Sequence, residues 1–109
     1  MNDLLRPSIY SAYHHIQPVE ISQSDKDIVA DIVGPVCESG DFFAKDRIVS
    51  EIKSGNYLAI MSAGAYSIVM SSNYNARRRP AEVLVEGDKF QIVRSRETFD
   101  HLLYDEKVV

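Results

Sequence analysis

AEVLVEGDKFQIVRSR, residues 81–96, is the stretch of the chain with the clearest structural signal. Apolar and polar residues alternate on both sides of Gly87-Asp88. A glycine-containing pair between two such runs is typical of a tight hairpin turn. The stretch therefore predicts two antiparallel strands, and with them a mainly β domain.

Upstream of this hairpin the sequence predicts further strands. Residues 12–21 alternate loosely, and we expect that strand to finish at Pro18, because proline cannot donate to a ladder. Residues 27–36 are rich in β-branched side chains and predict a second strand. A third strand is expected over residues 57–61, followed by a tight bend and a short element that carries Tyr66.

The rest of the chain is predicted to be loops and short helices. Pro7 suits the first position of a helical turn, since its missing N–H costs nothing there. Phe99, Leu102 and Leu103 fall on one side of a closing amphipathic helix within residues 96–106. The other segments are a polar turn at 22–27, a loop at 37–41, a mixed stretch at 42–55 with room for a short helical turn and a turn at its end, and a loop at 71–80.

The bulk composition fits one small domain and excludes several kinds of site. A chain of 109 residues can bury one modest core. Its net charge of −4 argues against a nucleic-acid or anionic-membrane surface, and the one basic run, Arg77 to Arg79, is interpreted as a solvated loop. A single cysteine excludes an internal disulfide and favours a cytoplasmic location. The sequence predicts neither a transmembrane helix nor a signal peptide.

Cys37, in GPVCESGD at residues 34–41, has two interpretations. It is either a small buried hydrophobic residue or a reactive group on a loop. Neighbouring carboxylates raise the pKa of a thiol, so this one would keep its proton and give it away rather than act as a standing nucleophile. Glu38 and Asp41 could ligate a metal, but solvated surface carboxylates are the simpler interpretation.

Two further groups of polar residues are candidate sites. Arg6 and Tyr10 are four apart in the predicted helical turn, where a guanidinium and a phenol could hold a carboxylate or could serve the fold alone. His14 and His15 are adjacent and would point to opposite faces of a strand. A two-histidine metal site is therefore disfavoured, and no metal is predicted.

Four stretches, in order, closely resemble the C-terminal part of the diaminopimelate decarboxylases, which belong to the alanine racemase-like, fold type III pyridoxal-phosphate enzymes. The resemblance covers nearly the whole chain, and the CESGD form points to this family. The related ornithine decarboxylases usually carry a CDS version. The stretches are MNDLLRPSIYSAYHHIQPV (1–19), IVGPVCESGDFFAKDR (32–47), AIMSAGAYSIVMSSNYNARRRPAEVLV (59–85) and RETFDHLL (96–103).

The resemblance implies that residues 1–109 are a single C-terminal β domain, a barrel or sandwich with short helical segments and a terminal helix. In the family an N-terminal (β/α)8 barrel holds pyridoxal 5'-phosphate on a lysine Schiff base. The homodimeric enzyme converts meso-2,6-diaminopimelate to L-lysine and CO2, the last step of lysine biosynthesis. The sequence shows no barrel and no phosphate-binding glycine loop. Its lysines lie in polar or turn-like contexts and do not suggest a Schiff base: Lys26, Lys45, Lys53, Lys89 and Lys107.

The same resemblance implies roles for five residues. Cys37 corresponds to the proton donor, and Glu38 to the ligand of the distal amino group of the substrate. Arg6 and Tyr10 correspond to ligands of a substrate carboxylate, and Tyr66 to a residue that contacts both cofactor and substrate. In the family the cysteine–glutamate loop reaches into the site of the partner subunit.

Three positions depart from the usual family pattern. Ser11 and Ser67 stand where glycine is common, and Arg78 stands where a proline often separates two arginines. Without a barrel the chain is expected to be inactive alone, as an excised domain, a truncated product or one half of a split enzyme. The alternatives are a non-catalytic module that pairs with a full-length subunit, and a domain of a related ornithine or polyamine-type decarboxylase.

Overall fold

The computed structural model describes residues 1–20 and 26–107, in which strands outnumber helices. This part of the chain also contains three single 3-10 turns, at Gly64–Tyr66, Ile68–Met70 and Tyr74–Ala76. The helices and strands are α1 (Arg6–Tyr10), β1 (Ile16–Pro18), β2 (Asp27–Val33), β3 (Phe42–Ser50), β4 (Leu58–Ile60), β5 (Glu82–Glu86), β6 (Lys89–Arg94) and α2 (Phe99–Leu102).

The strands pair antiparallel as three two-stranded sheets, β1 with β4, β2 with β3 and β5 with β6. The expectation of a mainly β domain is therefore confirmed. Among residues 1–20 and 26–107 the sheets do not join into a closed barrel. The barrel or sandwich detail of the expectation therefore stays a prediction.

The hairpin over residues 81–96 forms as predicted. β5 and β6 pair from Glu82 opposite Arg94 to Glu86 opposite Lys89, so the loop is the two residues Gly87 and Asp88. Gly87 has φ of 61°, which glycine adopts at no steric cost. An ion pair between Arg94 and Glu82 crosses the open end of the hairpin.

The mixed interpretation of residues 42–55 was wrong for its first part. Residues 42–50 form the nine-residue strand β3 instead of a short helical turn. Pairing with β2 decides the conformation, and it buries Ala44 and Val49. The alternation is broken because Asp46 has φ of 48° and its N–H donates to Asp31 Oδ1 at 2.8 Å, where the register of the pair shifts.

The turn predicted at the end of this stretch is present. Asn56 N–H donates to Lys53 O at 3.0 Å, and Gly55 has φ of 94°. β4 follows and is shorter than its predicted range. The tight bend after it is confirmed, with Ser62 at φ 55° and the 3-10 turn that carries Tyr66 beyond it.

The helical turn and strand predicted near the start of the chain and the helix predicted near its end are present, but β1 and α2 are shorter than predicted. α1 begins at Arg6 with Pro7 in its first turn, and Ser11 closes it at φ 51°, in the left-handed region that favours glycine. β1 stops at Pro18, as expected, but starts later than residue 12. The closing helix is the single turn α2, and Phe99 at its start is exposed. The polar turn at 22–27 lies outside the described residues except for positions 26 and 27.

The core is small and lies where the N-terminal segment, β1 and β3 meet. Its buried side chains are Asn2, Leu4, Pro7, His14, Ile16, Asp41, Ala44 and Val49. β5 and β6 contribute none of them, and every residue of β6 is exposed. The radius of gyration is 16.2 Å, whereas a compact domain of this length would have roughly 13 Å. Among the described residues, exposed large hydrophobic side chains therefore far outnumber buried ones.

In the part of the chain that the structure describes, no helix has the length and apolar character needed to cross a membrane.

Candidate active site

Residues 34–41 connect β2 to β3 and carry Cys37 at their exposed tip. Gly34 N–H donates to Asp41 O at 2.8 Å and closes the base of this loop. Glu38 beside Cys37 is also exposed, and its Oε1 accepts from Gly40 N–H at 3.2 Å. The interpretation of Cys37 as a buried hydrophobic residue is therefore wrong, because its thiol is open to a ligand.

Arg6 and Tyr66, which are distant in sequence, lie against each other. The guanidinium carbon of Arg6 is 4.9 Å from the centroid of the Tyr66 ring. Such stacking holds the guanidinium plane while leaving its N–H donors available to an anion. Tyr66 is 53% exposed, so its phenol also remains accessible.

Side chains that sequence reasoning did not single out hold these two residues together. Asn2 is buried, and its Nδ2 donates to the carbonyl oxygens of Ser72 at 3.2 Å and Tyr74 at 2.7 Å. Ser67 Oγ donates to Asp3 O at 2.5 Å. These bonds fasten the segment after Tyr66 onto the start of the chain. In the sequence, Asn2 and Ser67 are each a polar residue beside an apolar one, a pattern too common to indicate this role.

α1 also meets the Cys37 loop. Ser8 Oγ donates to the carbonyl of Gly40, and the Met1 nitrogen donates to Asp41 Oδ1. The N-terminal segment thus contacts both the loop that carries Cys37 and Glu38 and the segment that carries Tyr66. Four of the five sequence-predicted residues are thereby attached to one small region.

Tyr10 is the fifth residue, and it lies at the far end of α1. Its side chain is 64% exposed. The ring contact of Arg6 that the structure describes is with Tyr66 rather than with Tyr10. Arg6 and Tyr10 both lie in α1, four residues apart as predicted, and Tyr10 is open to solvent.

The histidines His14 and His15 and the carboxylates Glu38 and Asp41 lie in different environments. His14 is buried and donates from Nδ1 to Met61 O at 3.0 Å, whereas His15 is exposed. Within residues 1–20 and 26–107 no three His, Cys, Asp or Glu side chains are grouped to hold a metal ion. Glu38 is solvated, as expected. Asp41 is not, because it is only 3% exposed.

A pyridoxal cofactor would find only part of its usual contacts among these residues. The accessible phenol of Tyr66 can touch an aromatic ring or a hydroxyl. Lys45, the lysine beside the loop, has its ammonium 4.4 Å from the Phe42 ring centroid. The donor set suits non-covalent contact, and we assign covalent attachment to none of these lysines.

Arg79 is not the solvated loop residue that the basic run suggested. Its Nε donates to Ser71 Oγ at 2.9 Å, and its Nη1 donates to Asn73 Oδ1 at 2.6 Å and Glu97 Oε1 at 2.9 Å. Glu97 Oε2 also accepts from the Arg79 N–H at 2.7 Å. This Arg79–Glu97 network ties the loop after Tyr66 to the segment after β6.

The Arg79–Glu97 network makes stability depend on acid. Hydrogen bonds from the backbone and guanidinium of Arg79 lower the pKa of Glu97 from 4.5 to about 2. A lowered pKa in the folded state contributes stability above the unfolded pKa, and that contribution is lost as pH falls from about 4.5 towards 2. We expect Glu97→Gln to lower the thermal midpoint at pH 7, with the gap to the parent protein narrowing as pH falls from about 4.5 towards 2. A gap that stays constant over this range would contradict the assignment.

Comparisons with known proteins point to one family. A family profile described as the C-terminal sheet domain of pyridoxal-dependent decarboxylases matches residues 1–64. A diaminopimelate decarboxylase of Aquifex aeolicus is 58% identical over 103 residues, which are 94% of this chain and 24% of that protein. This chain thus spans about a quarter of the length of the curated relatives it matches.

Solved structures show the same correspondence. An Aquifex aeolicus protein superposes with a TM-score of 0.94 at 55% identity, covering 100% of this chain and 27% of that one. The diaminopimelate decarboxylase of M. jannaschii, solved with L-lysine, gives a TM-score of 0.91 at 41% identity and covers 100% of this chain and 25% of that one.

Proposed function

This chain belongs to the pyridoxal-dependent decarboxylases, as their C-terminal sheet domain, and from that premise we propose that it serves a diaminopimelate decarboxylase. The proposed reaction removes one carboxylate of meso-2,6-diaminopimelate as CO2 and leaves L-lysine. Two observations carry the proposal: Cys37 and Glu38 are exposed on one loop, which would reach into the site of the partner subunit, and Arg6 stacks on Tyr66, which would line the site of this chain.

Cys37 is the proposed proton donor. The C–C bond to the departing carboxylate breaks, CO2 leaves, and the thiol proton takes its place on that carbon. Water then restores the proton to the sulfur. A thiol on an exposed loop suits this role, because a general acid must be able to reach the carbon that it protonates.

The charged residues are proposed to select the substrate. Glu38 is free to pair with the distal ammonium, and Arg6 can bind a carboxylate bidentately. Tyr10 is exposed at the end of the same helix as Arg6 and would add a hydrogen bond. A substrate with an ammonium and a carboxylate at its far end would satisfy all three, with Glu38 reaching the site from the second subunit, which distinguishes this substrate from a simple diamine.

Pyridoxal 5'-phosphate, when bound, would supply the electron sink for the pair that the departing carboxylate leaves behind. Tyr66 is the proposed contact of this chain with the cofactor, since its ring is accessible and Arg6 orients it. A lysine outside these 109 residues would provide covalent attachment.

A barrel domain and a second subunit are the proposed partners. The relatives are about four times as long as this chain, and β5 and β6 expose apolar side chains that a partner could cover: Val83, Leu84, Val85, Phe90, Ile92 and Val93. Exposed apolar surface of this extent is typical of an interface. We infer that residues 1–109 act as one domain and need the barrel for activity.

Complementation tests the function. The chain is mixed with the barrel portion of a relative and with pyridoxal phosphate, and the CO2 and lysine formed from meso-diaminopimelate are measured. Activity should appear in the mixture and in neither part alone. Co-purification without activity would favour the alternative of a non-catalytic module that pairs with a full-length subunit.

A substrate panel on the active mixture separates the remaining alternative. Faster decarboxylation of L-ornithine than of meso-diaminopimelate would assign the domain to the ornithine or polyamine-type enzymes instead. We expect the opposite order, because Arg6 would lose its carboxylate partner with ornithine.

A further inference from the structure

Asp41 is buried at the base of the Cys37 loop, although the tip of that loop is exposed. Its side chain is 3% exposed. Buried carboxylates are uncommon and require hydrogen bonds to offset the loss of hydration. Closing a turn does not by itself require Asp41 to be buried, so its burial indicates a further role.

The hydrogen bonds of Asp41 reach both sequence neighbours of Cys37. Val36 N–H donates to Asp41 Oδ2 at 2.8 Å. On the other side of the thiol, Asp41 N–H donates to Glu38 O at 2.9 Å. Since Cys37 lies between two residues that are both bound to Asp41, the position of its backbone follows from that of one carboxylate and one peptide group.

Gly34 makes room for this carboxylate. A Cβ at Gly34 would lie 2.2 Å from Asp41 Oδ2 and 2.4 Å from its Cγ, which no packing permits. Gly40, on the same loop, differs, because the atom nearest to a Cβ there is Met1 Sδ at 3.5 Å. The absence of a side chain at Gly34 thus serves Asp41 specifically.

The charge of Asp41 strengthens these bonds. Burial alone would raise its pKa, but the hydrogen bonds from the Met1 amino group and the Val36 N–H outweigh burial and hold the pKa below its ordinary value. The ionised carboxylate accepts from both donors at once, whereas an amide would turn donor hydrogens towards one of them.

We propose that Asp41 is the positioning residue for Cys37 and holds the thiol where it can deliver its proton. Gly34 is part of this arrangement, because its lack of a side chain leaves space for the Asp41 carboxylate. The proposal rests on the proposed decarboxylation. It assigns to Asp41 no contact with the substrate. Its effect should therefore pass through Cys37 and appear in kcat.

The kinetic test is a double-mutant cycle in the assembled decarboxylase. Asp41→Asn should lower kcat by about 10²-fold, the cost of displacing a catalytic group by roughly 1 Å. In the Cys37→Ala background the same change should lower kcat no further, because the group it positions is already missing. An equal further loss in that background would overturn the proposal.

Two glycine variants give a matched comparison. Gly34→Ala should reproduce the loss of kcat, whereas Gly40→Ala should remain close to the parent enzyme. Equal activity of the two variants would contradict the role of Gly34.

Amide hydrogen exchange tests the role of Asp41 without an activity assay. It can be measured on the purified chain, with or without its partner. Asp41→Asn should accelerate exchange of the Val36 amide while leaving the β2–β3 amides unchanged. Acceleration throughout β2 and β3 would identify Asp41 as a general stability residue and overturn the proposal. If the parent protein shows no decarboxylation, the proposed function fails and the exchange result still decides the role of Asp41.

Discussion

Cys37→Ala is expected to lower kcat of the assembled decarboxylase by about 10²–10⁴-fold, the contribution of a positioned general acid. The thiol is free and exposed at the loop tip, so its removal leaves no cavity in the core. KM for diaminopimelate should change little, because the proton moves only after the substrate has bound. The loss should therefore be chemical and not a failure to fold.

Separate measurement of CO2 and lysine makes this prediction specific. Water must replace the thiol as proton source in the variant, so lysine formation should be slowed at least as much as CO2 release. Ser39→Ala is the control, since it alters an exposed side chain of the same loop and leaves the thiol in place. A Cys37→Ala enzyme with the kcat of the Ser39→Ala enzyme would exclude the proton-donor role.

The strands of this chain were predictable where their pattern is local. The hairpin of β5 and β6 follows from alternation around Gly87-Asp88, and the two residues closest to the turn already define its register. β3 was not predictable in this way, because Asp46 adopts a positive φ and breaks the alternation. Its strand conformation depends on pairing with β2, and the sequence of one strand alone does not predict which strand it pairs with.

The residues of the candidate site were likewise only partly predictable from the sequence. Cys37, Glu38, Arg6, Tyr10 and Tyr66 could be named from the sequence only because they lie in long stretches that resemble one family. From residue chemistry alone, Cys37 was better explained as a buried side chain, whereas the structure places it in solvent.

The residues that arrange the site were the ones that sequence reasoning missed. Asp41 was expected on the surface, and Asn2 attracted no interpretation. Both are buried, and both act by hydrogen bonds to backbone groups distant in sequence or across a turn. A polar residue in a short apolar context does not reveal such a bond, because the partner is set by tertiary packing.

Arg6→Met is expected to lower kcat/KM for meso-diaminopimelate by about 10²-fold, since loss of a charge-assisted pair costs roughly 3 kcal/mol and each 1.4 kcal/mol is a factor of ten. The loss should lie mainly in KM, because Arg6 holds a carboxylate that does not react. Arg6→Lys should recover only part of it, as an ammonium neither binds a carboxylate bidentately nor stacks as well on Tyr66.

Arg78→Met is the matched control for Arg6. The Arg78 guanidinium lies 4.5 Å from the Phe99 ring centroid, a contact of the same type as the one Arg6 makes at 4.9 Å. It is exposed and outside the candidate site, so its removal should leave kcat/KM close to the parent value. If Arg6 binds the distal carboxylate, Arg6→Met should also impair L-ornithine far less than diaminopimelate, because ornithine has no carboxylate at that end. Equal losses for both substrates would instead mean that Arg6 only supports the Tyr66 ring.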